Sequence, residues 1–191
     1  LTRLLLALGH RHIAVLAGPR DVSTVEDRIQ GYQRALEHAG LEMESDSIIY
    51  DDFYDDFSQE SGYAMARELM RCEPRPTALF AVSNFIAFGA LSYLRDAGID
   101  VPEDVAMVAF DDLPPTLMPE PFFTVAAQPA YEIGRCAAEL LLERIEDEID
   151  RPYQEVILPS RLTVRESSGD MLRRDRSKET NNSTQGDRSR D

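Results

Sequence analysis

Tryptophan is absent, lysine occurs once (Lys178), and cysteine occurs twice (Cys72 and Cys136) in a chain of 191 residues. Two cysteines so far apart encode neither a disulfide framework nor a cysteine-based zinc site, and a cytoplasmic setting is the default expectation. No apolar run approaches the ~18 residues a membrane span needs, which excludes a transmembrane role. The opening LTRLLLALGHRH has no small-residue cleavage site and does not read as a signal peptide. Basic charge is also short: 20 Lys+Arg stand against 35 Asp+Glu, for a net charge of -15. The segment from Gly169 onward holds six basic and five acidic residues, so the preceding body carries -16. A body that acidic repels phosphate and does not itself grip nucleic acid.

What is present is 43% apolar and long enough to bury a substantial core. Apolar runs alternate with segments of helical period. Residues 1–9 read as a helix with Leu4, Leu5 and Leu8 on one stripe. HIAVLA (12–17) reads as a buried strand closed by Gly18-Pro19. Ser23-Thr24-Val25-Glu26 has the form of a capping box, opening a helix that Gly40 stops. Ser47 to Tyr50 predicts a short strand, and Ser58 an N-cap for a helix to about Arg71. TALFAV (77–82) and VAMVAF (105–110) predict strands on either side of a helix over 84–97. Further strands are expected at 124–127, 155–158 and 162–164, with the longest helix over 130–149. The polar tail from about Ser167 has no apolar period and is expected to be disordered. Alternating strands and helices predict an α/β fold with a mostly parallel sheet.

Ligands collect at the carboxyl ends of strands in such sheets. The sequence places there Thr24 and Arg28 after the first strand, Phe57 ahead of the helix at 58, and Ser83 and Asn84 after strand 77–82. Asp111 and Asp112 follow strand 105–110, and Gln128 follows strand 124–127. Together they supply a bidentate cation, carboxylates, amides, hydroxyls and flat apolar faces. That set suits a small polyhydroxylated or heterocyclic ligand. The alternative is that Arg28 and Asp111 pair with each other or cap helices. Asp51, Asp52, Asp55 and Asp56 lack the glycine and spacing of a calcium loop and read as a solvated acidic loop. The Asp111-Asp112 pair falls too late in the chain for a phosphoacceptor site. GxSxG, HExxH and Walker patterns are all missing. His10, His12 and His38 crowd into the first 38 residues. No catalytic constellation, metal site or cofactor is expected, and the chain is not expected to be an enzyme.

Several stretches taken together carry a resemblance. ALGHRHIAVLAGP, DRIQGYQRALEHAGL, ESGYAMARELM, PTALFAVSNFIAFGAL, GIDVPEDVAMVAFDD and TVAAQP…IGRCAAELLLERI resemble, in order and over about residues 1–166, the effector-binding core of lactose-repressor/galactose-repressor (LacI/GalR) transcription regulators. The resemblance implies a periplasmic-binding-protein-like fold of type I, with Rossmann-like subdomains, the C-terminal one complete and the N-terminal one partial. In that scheme residues 1–10 hold the last helix of the partial N-terminal subdomain and residues 11–127 form the C-terminal one. Residues 128–159 return to the N-terminal subdomain, residues 160–166 give the final strand of the C-terminal one, and 167–191 form the tail. The DNA-binding head would lie upstream, making this chain an N-terminally truncated sensor. By position, Arg28, Thr24 and Asp111 match effector contacts, Asp111 neutralising Arg28 across the ligand. Phe57 and Phe80 match aromatic walls. Ser83-Asn84 stand where many sugar-binding members have Asn-Asp. The resemblance further implies a small-molecule effector, a sugar or related small molecule, DNA contact through the upstream domain alone, and a homodimeric parent. No leucine heptads for a tetramer occur. The alternative is a periplasmic-type sugar-binding protein of a transport system. Both the first and the 130–149 helices are expected to expose apolar faces to missing strands.

Overall fold

The computed structural model describes residues 1–44, 46–51, 56–146 and 154–170. Its elements run α1 (Thr2–Ala7), β1 (Ile13–Gly18), α2 (Ser23–His38), β2 (Ile48–Tyr50), α3 (Gln59–Leu69), β3 (Ala78–Ala81) and α4 (Asn84–Asp96). They continue as β4 (Ala106–Phe110), β5 (Thr124–Ala127), α5 (Ala130–Glu146), β6 (Arg161–Thr163) and a 3-10 turn at Glu166–Ser168. The strands form one sheet of order β2-β1-β3-β4-β5-β6. The first five are parallel, and β6 runs antiparallel to β5, pairing Val125 with Thr163 and Ala127 with Arg161.

β1 and β3 are buried along their whole length, as parallel strands covered on both faces must be. Leu16, Leu79 and Met107 are completely buried at the sheet's centre. The chain runs outward from β1 to β2, then back across to β3 and on to β4. Right-handed crossovers therefore put α2 on one face of the sheet and α3 and α4 on the other. α3 and α4 meet backbone to backbone. A side chain at Gly62 would strike the Ile86 carbonyl, and one at Gly89 the Gln59 carbonyl. On the opposite face the Tyr32 hydroxyl of α2 donates to the Ile13 carbonyl at 2.7 Å, tying helix to strand.

Four expectations meet a different outcome. The apolar stripe of residues 1–10 is not left open. Leu5, Leu6 and Leu8 are buried, and α1 packs beside α2 over the core that holds β1. The capping box at Ser23 does not form; the helix begins at Ser23 with Val22 as its N-cap and no side-chain cap bond. Residues 155–158 join no ladder and leave Val156 and Ile157 exposed. Ser167 and Ser168, assigned to the tail, are instead buried. The Ser167 hydroxyl donates to the Met107 carbonyl at 2.7 Å and accepts from the Thr124 amide at 2.8 Å. The long helix is described as far as Glu146; residues 147–149, like the tail from 171 on and Asp52 and Asp55 of the acidic loop, lie outside the described residues. The expected N-cap at Ser58 does form, its hydroxyl accepting from the Ser61 amide at 3.1 Å. α5 behaves as expected for an unpartnered helix: Tyr131, Leu141, Leu142 and Ile145 are all exposed.

Candidate functional site

At the carboxyl edge of the sheet the reversal of chain direction lies between β1 and β3, where a doubly wound sheet opens a crevice. Arg28, on the second turn of α2, spans it. Its Nη1 donates to the Val82 carbonyl just past β3, at 2.6 Å. Its guanidinium lies over the ring of Phe110, the last residue of β4, 3.8 Å from the centroid. Burial pushes Arg28 below the usual arginine range, while Asp111 and Asp27 pull it back. A guanidinium keeps its proton regardless, so a fixed positive charge sits at the crevice.

Beside it opens a cavity of about 500 Å³. Thr24, Asp27, Arg28, Gly31, Tyr32 and Ala35 give one wall from α2; Phe80, Phe110, Ala126 and Gln128 come from the ends of β3, β4 and β5. Leu1, Thr2 and Arg3 complete it from α1. Of the residues singled out in the sequence, Thr24, Arg28, Phe80 and Gln128 line this cavity together.

The other four do not line it. Phe57 closes against Gly18, near Ile86, in the space a side chain at Gly18 would need. Ser83 is the N-cap residue of α4, its hydroxyl 3.5 Å from Asn84 Oδ1. Asn84 is spent on structure: its Nδ2 donates to the Asp112 carbonyl at 2.7 Å and its Oδ1 accepts from the Phe85 amide at 2.8 Å. Asp111 stands behind the wall. It attracts Arg28 electrostatically, while the Arg28 hydrogen bond goes to the Val82 carbonyl. Its Oδ2 accepts from Gln128 Nε2 at 3.1 Å, and its Oδ1 from the Asp112 amide at 2.9 Å and the Gln128 amide at 3.3 Å. Arg28 and Gln128 thus line the cavity together, and the Asp111 carboxylate holds the Gln128 amide.

Asp111 adopts φ 70, a left-handed backbone that aspartate tolerates better than most residues. Its neighbour Asp112 forms a two-bond fork with Arg165, Nη1 to Oδ1 at 2.9 Å and Nη2 to Oδ2 at 2.5 Å. The Arg165 bonds hold the Asp112 carboxyl below the usual aspartate range.

Sequence reasoning passed over Arg165, Asp27, Phe110 and Arg3. Phe110 and Asp27 carried a usable signal, each being adjacent to a residue already chosen. Arg165 carried none, because its partner lies 53 residues away. Among the described residues no three His, Cys, Asp or Glu side chains cluster as a metal site, and no helix is long and apolar enough to cross a membrane.

A mostly parallel sheet with a mixed polar and aromatic cavity at its carboxyl edge has the form of a small-molecule-binding domain. A model of the periplasmic binding protein-like domain matches residues 2–168. The HTH-type transcriptional regulator CelR of Thermobifida fusca is 41% identical over 166 residues, covering 87% of this chain and 47% of CelR. The solved complex of transcriptional regulator CelR with cellobiose superposes with a TM-score of 0.77 at 40% identity, over 87% of this chain and 49% of that one. A LacI family transcriptional regulator from Enterococcus faecium with bound ribose gives 0.75 at 32% identity, over 87% and 60%. The chain belongs to the periplasmic binding protein-like domain family, in the form carried by LacI-type transcription regulators. It spans about half the length of CelR.

Proposed function

We propose that this chain is the effector-sensing part of a LacI-type transcription regulator, and that its effector is a sugar or related small polar molecule seated in the Arg28 cavity. The observation that carries the reading is the convergence of Thr24, Arg28 and Gln128 on one cavity walled by Phe80 and Phe110. Aromatic faces cover the apolar side of a sugar ring, while a guanidinium and an amide read its hydroxyls. That relatives carry cellobiose and ribose supports this class of ligand. That CelR is an HTH-type regulator supports a regulator over a transport protein.

In this reading the cavity is one wall of a cleft. Residues 11–127 and 160–166 belong to one subdomain, and 128–159 to a second, whose remaining strands would cover the exposed face of α5. α1 is the last helix of that second subdomain and rests beside α2 of the first. DNA contact resides in a segment outside this chain, the parent protein is a cytoplasmic homodimer, and no catalysis is involved. Signalling then requires that the effector bind one arrangement of the two subdomains more tightly than the other.

The test is titration of the isotope-labelled chain with cellobiose, ribose and other small sugars, followed by nuclear magnetic resonance. With half a cleft, binding is expected to be weak, with shifts concentrated at Arg28, Phe110 and Gln128. Shifts confined to other surfaces, or none with any sugar, would overturn the site. Micromolar affinity by calorimetry would overturn the half-cleft reading.

A further inference from the structure

Gln128 lines the cavity, yet its amide is not free to choose which end it shows a ligand. An ionised carboxylate accepts and never donates, so a Gln128 side chain bonded to Asp111 must present its NH2 group there. One N–H of that group is thereby spent on Asp111, and Oε1, which takes no part in the contact, is the acceptor the side chain can offer a ligand donor. The polarity of this contact is therefore set by Asp111, and Asp111 in turn keeps a left-handed backbone that persists when its surroundings hold it.

The restraint comes from Asp112. The Asp112 carbonyl accepts from Asn84 at the start of α4, and its carboxylate receives both arms of Arg165. Arg165 is itself pinned. Its amide donates to Thr124 Oγ1 at 2.8 Å, and its Nη1 also donates to the Phe123 carbonyl at 2.9 Å. Its side chain is 19% exposed, compared with 38% for that of Asp112, so the fork is partly shielded from water on the arginine side. Thr124, the anchor of the whole arrangement, is completely buried.

We propose that Arg165 is a positioning residue for ligand binding: by clamping Asp112 it fixes the Asp111 turn, and through Asp111 it holds Gln128 with its amide oxygen toward the ligand. This rests on the sensing role proposed above and deepens it in two ways. It assigns the site a requirement for a hydroxyl or N–H donor at Gln128. It also ties the cavity wall to the second residue after β6, so a shift in the segment leading into β6 is transmitted to ligand recognition.

Arg165→Met, which keeps the stem and removes the fork, tests this in the full chain. The Gln128 side-chain NH2 signals and the Asp111 amide are expected to move, while the Thr24 and Phe80 amides stay. Cellobiose affinity should fall about tenfold, the equivalent of one hydrogen bond. Arg165→Lys should restore part of it. In a Gln128→Ala background the further loss from Arg165→Met should vanish, because both changes act on one contact. Unmoved Gln128 and Asp111 signals, or losses that simply add, would overturn the proposal. Should Arg165→Met fail to fold, Asp112→Asn gives the same readout with less change in volume. If the wild-type chain takes up no sugar while the Gln128 signals still move in Arg165→Met, the sensing reading falls and the support of Gln128 by Arg165 stands. If wild type and Arg165→Met bind sugar equally, the positioning role falls and the sensing reading stands.

Discussion

Arg28 and Phe110 are stacked, guanidinium on ring, at 3.8 Å, although one comes from α2 and the other from the end of β4. The stack fixes the plane of the guanidinium, and the Val82 carbonyl takes one of its donors. Both constraints act before any ligand arrives, so less side-chain freedom is lost on binding.

Replacing Arg28 with Met removes the stack and leaves the Val82 carbonyl without this donor. Stability is expected to drop by about 1–2 kcal/mol, measured by urea unfolding. Arg28→Lys keeps the charge and loses the planar fit, so it should recover part of that difference at most. A variant as stable as wild type would show that the stack contributes nothing.

Tyr32 sets an alkaline limit. Its buried hydroxyl donates to Ile13, and burial pushes the phenol above its ordinary value. The folded state holds this proton more tightly than the unfolded chain does. The associated stability is therefore complete below about pH 10 and is lost as pH rises through the higher folded value. Tyr32→Phe should cost roughly 1–2 kcal/mol at neutral pH and make the alkaline decline shallower. Melting temperatures of both proteins across that pH range check the sign.

Two glycines on helices should respond oppositely to alanine. At Gly89 a new methyl meets the Gln59 backbone carbonyl, which has nowhere to go, and a loss of about 1–3 kcal/mol is expected. At Gly31, on α2, a methyl meets nothing within 4 Å and should raise stability by about 0.5–1 kcal/mol. Thermal melts of the two variants decide whether the α3–α4 contact is as close as described.

The outer face of α5 should make the chain sticky. Leu142 and Ile145 are 55% and 65% exposed, next to exposed Leu141. Leu142→Glu with Ile145→Glu is expected to lower light scattering and dye binding while leaving the melting temperature nearly unchanged. A large fall in melting temperature would mean that the face is covered within the chain.

Much of the architecture was legible because short apolar runs such as ALFA and AMVAF, bounded by helical periods, announce buried parallel strands directly. Thr24, Arg28 and Gln128 followed from the rule that strand ends gather ligands, and Phe80 from the family resemblance. The remainder depended on distance. Ser167 looked like tail because its partners, Met107 and Thr124, lie 60 and 43 residues away and leave no periodic trace. Asp111 was legible as a carboxylate at a strand end, but its bonds to Gln128 and to its own neighbour were not, because they depend on how β4 and β5 lie side by side. The expected strand at 155–158 illustrates the converse: its apolar residues have strand character, but no neighbouring strand among the described residues receives them.

The two serines at 167 and 168 have a practical meaning for anyone shortening this polypeptide. Ser168 accepts from the Thr124 hydroxyl at 2.8 Å, and Gly169 closes the turn at φ 74. A version trimmed at Val164 would surrender the plug beneath Met107 along with the anchor of β5, whereas one trimmed after Asp170 would keep both. The buried bonding that secures β4 and β5 therefore extends past the last strand.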